Sequence, residues 1–283
     1  MLIESKVNLE SMLDDEFQKK FLAAVINNLS DASNPLAFNN FCTSFRELVR
    51  HVLRDLAPDS EIQACKWFKP DNTSKTGITR AHAITYIVQG GLLEEYLVNT
   101  LKIDVNKEKH KLLSTINELS KFVHIEEKTF GTDVSVAEVK ADSAVRALIS
   151  MLVCAKECRS SLARSLEAQI SKEVFSVAIS ETIQSIDSLA THHSIEEIYV
   201  EETLVESIDS SDICFNASGS IGVQLQWGSN GDVRRGDGLL SEESFPFTCE
   251  LRSSVESPEK VEADPGNFCV NTSSWWENYT DGD

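Results

Sequence analysis

The stretch "SFRELVRHVLRDLAP", residues 44–58, decides how the first half of the chain is read. Phe45, Leu48, Val49, Val52, Leu53 and Leu56 recur at i, i+3, i+4, i+7, i+8 and i+11, and at 100° per residue they fill an arc of roughly 140°. That is the apolar face of an amphipathic helix, expected from about Phe38 and stopped by Pro58. The opposite face carries Arg46, Arg50 and Arg54 at spacings of four, with Glu47 among them and His51 across the stripe. Such a face is either a solvated surface, in which Glu47 pairs with Arg50 or His51, or a site where guanidinium groups meet a phosphate and an imidazole moves a proton.

Helical periodicity extends outward from this stretch. Residues 1–30 read as a helical segment with apolar positions Phe17, Phe21, Leu22, Val25, Ile26 and Leu29 at spacings of three and four, and "SDASNPLAFNN" (30–40) breaks it. "DNTSKTG" (71–77) is a loop, Thr79 caps a helix that breaks at Gly90-Gly91 and resumes, and "DVNKEKHKLLSTINELSKFVHI" (104–125) turns Leu112, Ile116, Leu119 and Val123 inward. "SVAE", Ser135 to Glu138, matches a capping box and opens a helical region reaching about Ala190.

After "THHS" (191–194) the texture changes to five short segments rich in β-branched and aromatic residues: "EEIYVEETLVESI", "DICFNAS", "SIGVQLQWG", "FPFTCELRSSV" and "NFCVNTSSWW". The expected class is therefore α+β, an N-terminal all-helical domain followed by a small antiparallel β domain. Its expected divisions are 1–134, helical with the candidate site; 135–191, long helical region or linker helices; and 192–283, acidic β domain.

Charge sharpens that division. The chain of 283 residues has a net charge of −19, yet residues 1–191 hold 22 Lys or Arg against 26 Asp or Glu, while residues 192–283 hold 4 against 19, a net of −15. The first part can carry a local basic site; the second repels free nucleic acid and favours a basic protein surface. Seven scattered cysteines without a CxxC pair read as reduced thiols, and Cys154 and Cys158 share a helix face. No run of 18 apolar residues and no leader pattern is present, so a cytoplasmic protein with no membrane contact is expected.

Three further groups bear on chemistry. In residues 104–125, His110, Ser114, Asn117, Lys121 and His124 line one polar stripe opposite the apolar one. Arg80 follows a cap residue, where the helix dipole disfavours a cation unless an anion is to be held. Asp232 and Asp237 flank two arginines in "GSNGDVRRGDG", a turn-rich segment in which aspartates ordinarily form turns. No phosphate cradle, HExxH, GxSxG or metal-ligand spacing occurs, so no cofactor is expected, and nothing indicates Mg2+ although nuclease chemistry can use it.

Two resemblances follow. Arg46, four residues, then His51 resembles the arginine–histidine signature of HEPN ribonucleases, all-helical domains whose pair acts on RNA without metal; Glu47 stands where the commoner form has Asn, Asp or His. More broadly, "NPLAFNNFCTSFRELVRHVLRDLAPD", "CKWFKPD", "TRAHAITYIVQGGL" and "INELSKFVHI", with "SFPF" and "NTSSWWE" further on, resemble the predicted pPIWI-associating nucleases, bacterial proteins assigned to prokaryotic defence. The resemblance implies a nuclease.

On the residues, Arg46, His51 and His124 are the catalytic candidates, and Arg50, Arg54, Arg80 and Lys121 the phosphate-binding ones. RNA or DNA would be bound at the helical domain, and a homodimer is one arrangement that would bring the two polar stripes together. The alternative is a non-catalytic adaptor whose acidic β domain docks on a basic partner. A small-molecule enzyme has no motif in its favour.

Overall fold

The computed structural model describes residues 1–31, 33–180 and 182–280. It is α+β, as the pattern requires: helices to residue 187, then a four-stranded antiparallel sheet in the order β1-β2-β3-β4. Two compact units are present, Met1–Cys158 and Arg159–Asp283.

In the first unit, α1 (Leu2–Glu10) and α2 (Glu16–Asn27) replace the single segment expected over 1–30. The break lies at Asp15, whose carboxylate accepts the Phe17 N–H at 2.9 Å and so begins a new helix. Phe17 is an exposed apolar residue of α2. Next come α3 (Ala37–Leu56), α4 (Asp59–Ala64), α5 (Arg80–Gln89), α6 (Glu94–Tyr96) with a π turn (Leu97–Leu101), α7 (Val105–Val123) and α8 (Val134–Ser165). The cap of α8 is Asp133, not Ser135: its carboxylate accepts the N–H groups of Ser135 and Val136 at 2.9 and 3.4 Å. The carboxylate two residues earlier starts the helix sooner, and the Ser135 hydroxyl donates to it instead of capping.

The core of this unit is built on α3, which packs against α2, α5 and α7. Its arc of Phe38, Phe41, Phe45, Leu48, Val49, Val52 and Leu53 is buried, and Phe41 stacks on Phe45 at 5.5 Å. Across from it, Leu112, Ile116 and Leu119 of α7 are buried too. Asn39 Nδ2 donates to Phe122 O at 2.7 Å and so fixes the end of α7 beside the first turn of α3.

The second unit holds α9 (Glu167–Ser180), α10 (Gln184–Asp187), β1 (His192–Ile208), β2 (Asp212–Trp227), α11 (Asn230–Arg235), β3 (Leu239–Ser254), β4 (Glu262–Val270) and α12 (Ser273–Thr280). Ile170, Val174, Val177 and Ala178 of α9 are buried, and α9 lies against β1 and β4. The covered sheet face alternates through Ile213, Phe215, Ala217, Ile221, Val223 and Leu225 of β2 and Phe245, Phe247, Cys249 and Leu251 of β3.

Five strand-like segments fold as four strands because Gly219 continues β2 rather than ending it. The reason lies across the ladder, where β1 is bulged in three places, between Ile195 and Glu197, Val200 and Glu202, and Val205 and Ser207. The residues left without a register partner are Glu196, Glu201 and Glu206, five apart and all exposed. At the Glu201 bulge the Tyr199 carbonyl approaches β2 so closely that only a glycine fits opposite it.

β1 pairs on one side only, and a bulged, charged strand is a poor template for a second chain. Replacing Glu196, Glu201 and Glu206 together with threonine is expected to convert a single species into higher-order ones. Light scattering coupled to size exclusion reads this directly, and an unchanged mass distribution would show that the glutamates do not guard the edge.

Candidate functional site

The polar face of α3 meets the start of α5, and the cations gather there. Arg80 opens α5 beside Arg46: partial burial first, then the Arg46 charge, holds the Arg80 guanidinium below its ordinary pKa, with Glu47 opposing. Thr79, which precedes it, donates its backbone N–H to His82 Nδ1 at 3.2 Å. Arg46 is half-buried, and its Nε is a buried donor without a hydrogen-bond partner. Two like charges side by side, one of them with an unmet donor, is the arrangement an anion would relieve.

The one carboxylate within this cluster is already engaged. Glu47 Oε2 accepts from Arg50 Nε at 2.8 Å, and that bond, then the charges of Arg50, His51 and Arg46, holds the Glu47 carboxyl below the usual range. Arg50 also reaches His51, Nη2 to Nε2 at 3.3 Å. A guanidinium can only donate, so Nε2 accepts there and the ring proton sits on Nδ1. On its other side the imidazole meets the edges of Phe17 and Phe21 of α2, at 5.4 and 6.1 Å between centroids. His51 thus has its orientation set by α2 and its lone pair held by Arg50.

Arg46, Glu47, Arg50, His51 and Arg80 therefore form one neighbourhood. Arg54 extends the stripe two turns further along α3, about 12 Å from Arg46 at 1.5 Å per residue, exposed and without an ion pair among the described residues.

Lys121 and His124 lie elsewhere. Both are exposed at the end of α7, which Asn39 ties to the start of α3. From Asn39 to His51 is twelve residues along one helix, about 18 Å. Within one chain, then, the end of the α7 stripe does not join His51. Beside the end of α7 the Lys140 ammonium lies 5.7 Å from the Phe122 ring centroid and pairs with Glu118. His124 leaves α7 at its last turn, and its carbonyl accepts from Thr129 Oγ1 at 3.3 Å.

Other chemistry finds little support. Burial pushes the Cys42 thiol up to about 12 despite Lys140 and Arg46, so it stays protonated at neutral pH and is no nucleophile. Cys154 and Cys158 are both buried, and burial with Glu108 and Glu157 nearby raises Cys154 to about 11. Asp232 is a turn former: it accepts from the Ser229 N–H and hydroxyl at 2.8 and 2.7 Å and pairs with Arg235. Among the described residues, no three His, Cys, Asp or Glu side chains converge as a metal-binding group. No helix among them is long and apolar enough to cross a membrane.

Sequence reasoning identified Arg46, Arg80 and His51 separately, but not that Arg80 stands beside Arg46 or that Phe17 and Phe21 flank His51. Arg80 alone gave a signal, a cation where the helix dipole disfavours one.

Comparison with known families matches residues 9–148 to one family model and residues 155–276 to a second, both described as "Predicted pPIWI-associating nuclease". Neither description is of a HEPN ribonuclease. No curated protein and no solved structure matches the chain.

Proposed function

Since the chain belongs to the predicted pPIWI-associating nucleases, we propose that it cleaves phosphodiester bonds, with RNA as substrate, at the cluster of Arg46, Arg50, His51 and Arg80. The observation that carries this reading is that Arg46 and Arg80 lie within each other's field and, among the described residues of a chain with 45 acidic residues, neither has an ion-pair partner. A phosphate at the guanidinium ends would satisfy both cations.

Chemistry then follows from the neighbours. A phosphate drawing Arg50 towards itself frees His51 Nε2 to accept the proton of a ribose 2′-hydroxyl. The 2′-oxygen attacks phosphorus, the bond to the 5′-oxygen breaks, and that oxygen leaves with a proton returned from the imidazolium or from solvent. The products are a cyclic phosphate and a 5′-hydroxyl. Arg46 and Arg80 hold the charge that grows on the phosphoryl oxygens. No metal is required for this sequence, and none of its steps uses His124 or Lys121. A cytoplasmic setting and a part in prokaryotic defence go with this reading.

A second reading rests on the sheet. Residues 192–283 carry a net charge of −15, and β1 presents three bulged glutamates at the unpaired edge. Docking of this acidic part on a basic partner would suit such a surface, and both roles can coexist in one chain.

The test compares wild type with the Arg46→Ala, His51→Ala double variant on labelled RNA and DNA, with magnesium and with chelator. Cleavage of RNA in chelator that the double variant lacks is the expected result. A folded wild type that cuts neither nucleic acid under any of these conditions would sink the nuclease reading and leave the docking one.

A further inference from the structure

Beyond Arg80 the cations continue. Residues 66–80 contain Lys66, Lys69, Lys75 and Arg80 against a single acid, Asp71, in a chain whose overall balance is strongly negative. The loop is folded tightly: the Asp71 N–H donates to Gly77 O at 2.8 Å, and the Asp71 carboxylate accepts from the Thr73 N–H and hydroxyl at 2.8 and 2.7 Å. That closure keeps Lys69, at its entry, and Lys75, at its tip, near the Ile78–Arg80 exit. Phe68 meets the His82 ring edge-on at 5.1 Å and seats the loop on α5.

The ring of His82 is in turn within the field of Lys109 from α7. Lys69, Lys75 and Lys109 form no ion pair or side-chain hydrogen bond among the described residues, although acids outnumber bases 45 to 26 in the chain. Elsewhere on this unit Lys6, Lys19, Lys111, Lys128, Lys140 and Arg146 are all paired. Lys20, Lys107, Lys121 and Lys156 are likewise without an ion pair among the described residues, but six of the unpaired cations, Arg46, Arg54, Lys69, Lys75, Arg80 and Lys109, fall on α3, on the start of α5 with the loop before it, and on α7, which packs against both helices.

We propose that this surface is a track for one strand of nucleic acid, in which Lys69, Lys75 and Lys109 bind phosphates beyond the one held by Arg46 and Arg80. The inference rests on the nuclease reading of that pair and extends it to the form of the substrate. A single strand fits better than a duplex on two counts. The half-buried rings of Trp67 and Phe68 lie in the same loop as Lys69 and Lys75, and base stacking on aromatic side chains is what single-strand sites add to charge. A duplex also carries twice the phosphate charge per length, so the long-range repulsion from a chain of net charge −19 weighs more heavily against it.

The experiment measures anisotropy of labelled single-stranded RNA, single-stranded DNA and duplex DNA over a range of salt, for wild type and for the Lys69→Ala, Lys75→Ala, Lys109→Ala variant. A second triple variant, Lys128→Ala, Lys156→Ala, Lys172→Ala, removes the same net charge elsewhere. Track loss is expected to weaken single-strand binding by about tenfold or more and to flatten the log–log salt slope by about 2, at roughly 0.7 per phosphate contact. The control variant should change neither, and a dinucleotide should be cut equally by all three proteins.

The single-strand RNA and DNA arms separate a track that reads only backbone from one that needs the 2′-hydroxyl, and either supports it. Equal weakening by both triple variants, or duplex binding as tight as single-strand binding, would overturn the track. So would unchanged binding by the track variant in a protein whose cleavage still depends on Arg46, and that result would leave the catalytic cluster standing. If wild type neither binds nor cuts any strand, the nuclease reading itself fails.

Discussion

Arg46→Ala is expected to lower the rate of RNA cleavage by about 10²–10³-fold, the usual loss when one preorganised donor to a developing oxyanion is removed. Arg80→Ala should fall in the same range, because in the proposed site both guanidinium groups bind one phosphate from two helices. Removing both should cost less than the product of the single losses, since groups that act as a unit are not additive. Stability should move little. Neither Arg46 nor Arg80 has a direct ion pair to lose among the described residues, only the field of Glu47, and a buried donor without a partner is no asset to the fold, so a change within about 0.5 kcal/mol is expected. Separating binding from chemistry needs the split of kcat from KM: loss confined to KM would make the pair a docking point rather than a stabiliser of the transition state. Glu47→Gln supplies the opposite sign. It removes the one carboxylate of the cluster, frees Arg50, and should tighten RNA binding. Unchanged cleavage in Arg46→Ala, with the fold intact by circular dichroism, would remove this cluster from the reaction.

What could be read from sequence here depends on how local the cause is. The apolar arc of α3 was legible because burying Phe45, Leu48, Val49 and Val52 dictates both the helix and its inward face, and the observed bounds, Ala37–Leu56, follow that arc. The α+β class was equally plain, from the change of texture after residue 191. The division at Asp15 was hidden because Phe17 and Phe21 keep helical spacing with Leu22 and Val25, yet they serve a different contact, the ring of His51. Nothing in either segment alone announces that pairing. Ser135 was read as the cap because the capping-box pattern is a sequence rule, whereas the cap is set by which oxygen reaches the first amides, and that oxygen belongs to Asp133.

The candidate site divides in the same way. A helical wheel places Arg46 and Arg50 on one stripe, since that needs only one helix, but it cannot bring in Arg80 from a helix that begins 34 residues later in number. Nor can it separate the stripe ending at His124, whose distance from His51 is fixed by the single bond from Asn39 to the Phe122 carbonyl. The glutamates of β1 show the converse. Their spacing of five is visible in the sequence, but it suits neither the helical nor the strand period, and only the ladder gives it meaning: each of the three is the extra residue of a bulge, and each bulge shifts the strand by one residue.

That dependence makes Gly219 the position at which the sheet is most exposed to a single change. A Cβ built there would lie 1.8 Å from the Tyr199 carbonyl oxygen, 2.9 Å from its carbon and 3.1 Å from the Glu201 nitrogen. All three atoms are backbone of the bulged neighbour, so no side chain can rotate away to make room. Gly219→Ala must therefore separate β1 from β2 at the Glu201 bulge or shift the register. Overpacking ordinarily costs about 1–3 kcal/mol, and an unyielding backbone puts this substitution at or above the top of that range. Against a domain stability of about 5–15 kcal/mol, a loss of about 3 kcal/mol raises the unfolded fraction by roughly two orders of magnitude. Gly222→Ala is the informative comparison, because there the nearest atom is Glu197 Cγ at 2.7 Å, the stem of a flexible side chain, and a smaller loss is expected. Denaturant unfolding followed by tryptophan fluorescence reads the outcome, as Trp227 donates to Leu189 O at 3.0 Å and stacks on Trp275 at 5.8 Å. Equal stability of the two variants would mean that the bulge relaxes without cost. If instead Gly219→Ala melts the sheet while the helical unit still cleaves RNA, then the chemistry belongs to α3 and α5 alone, and the acidic strands serve something other than the reaction.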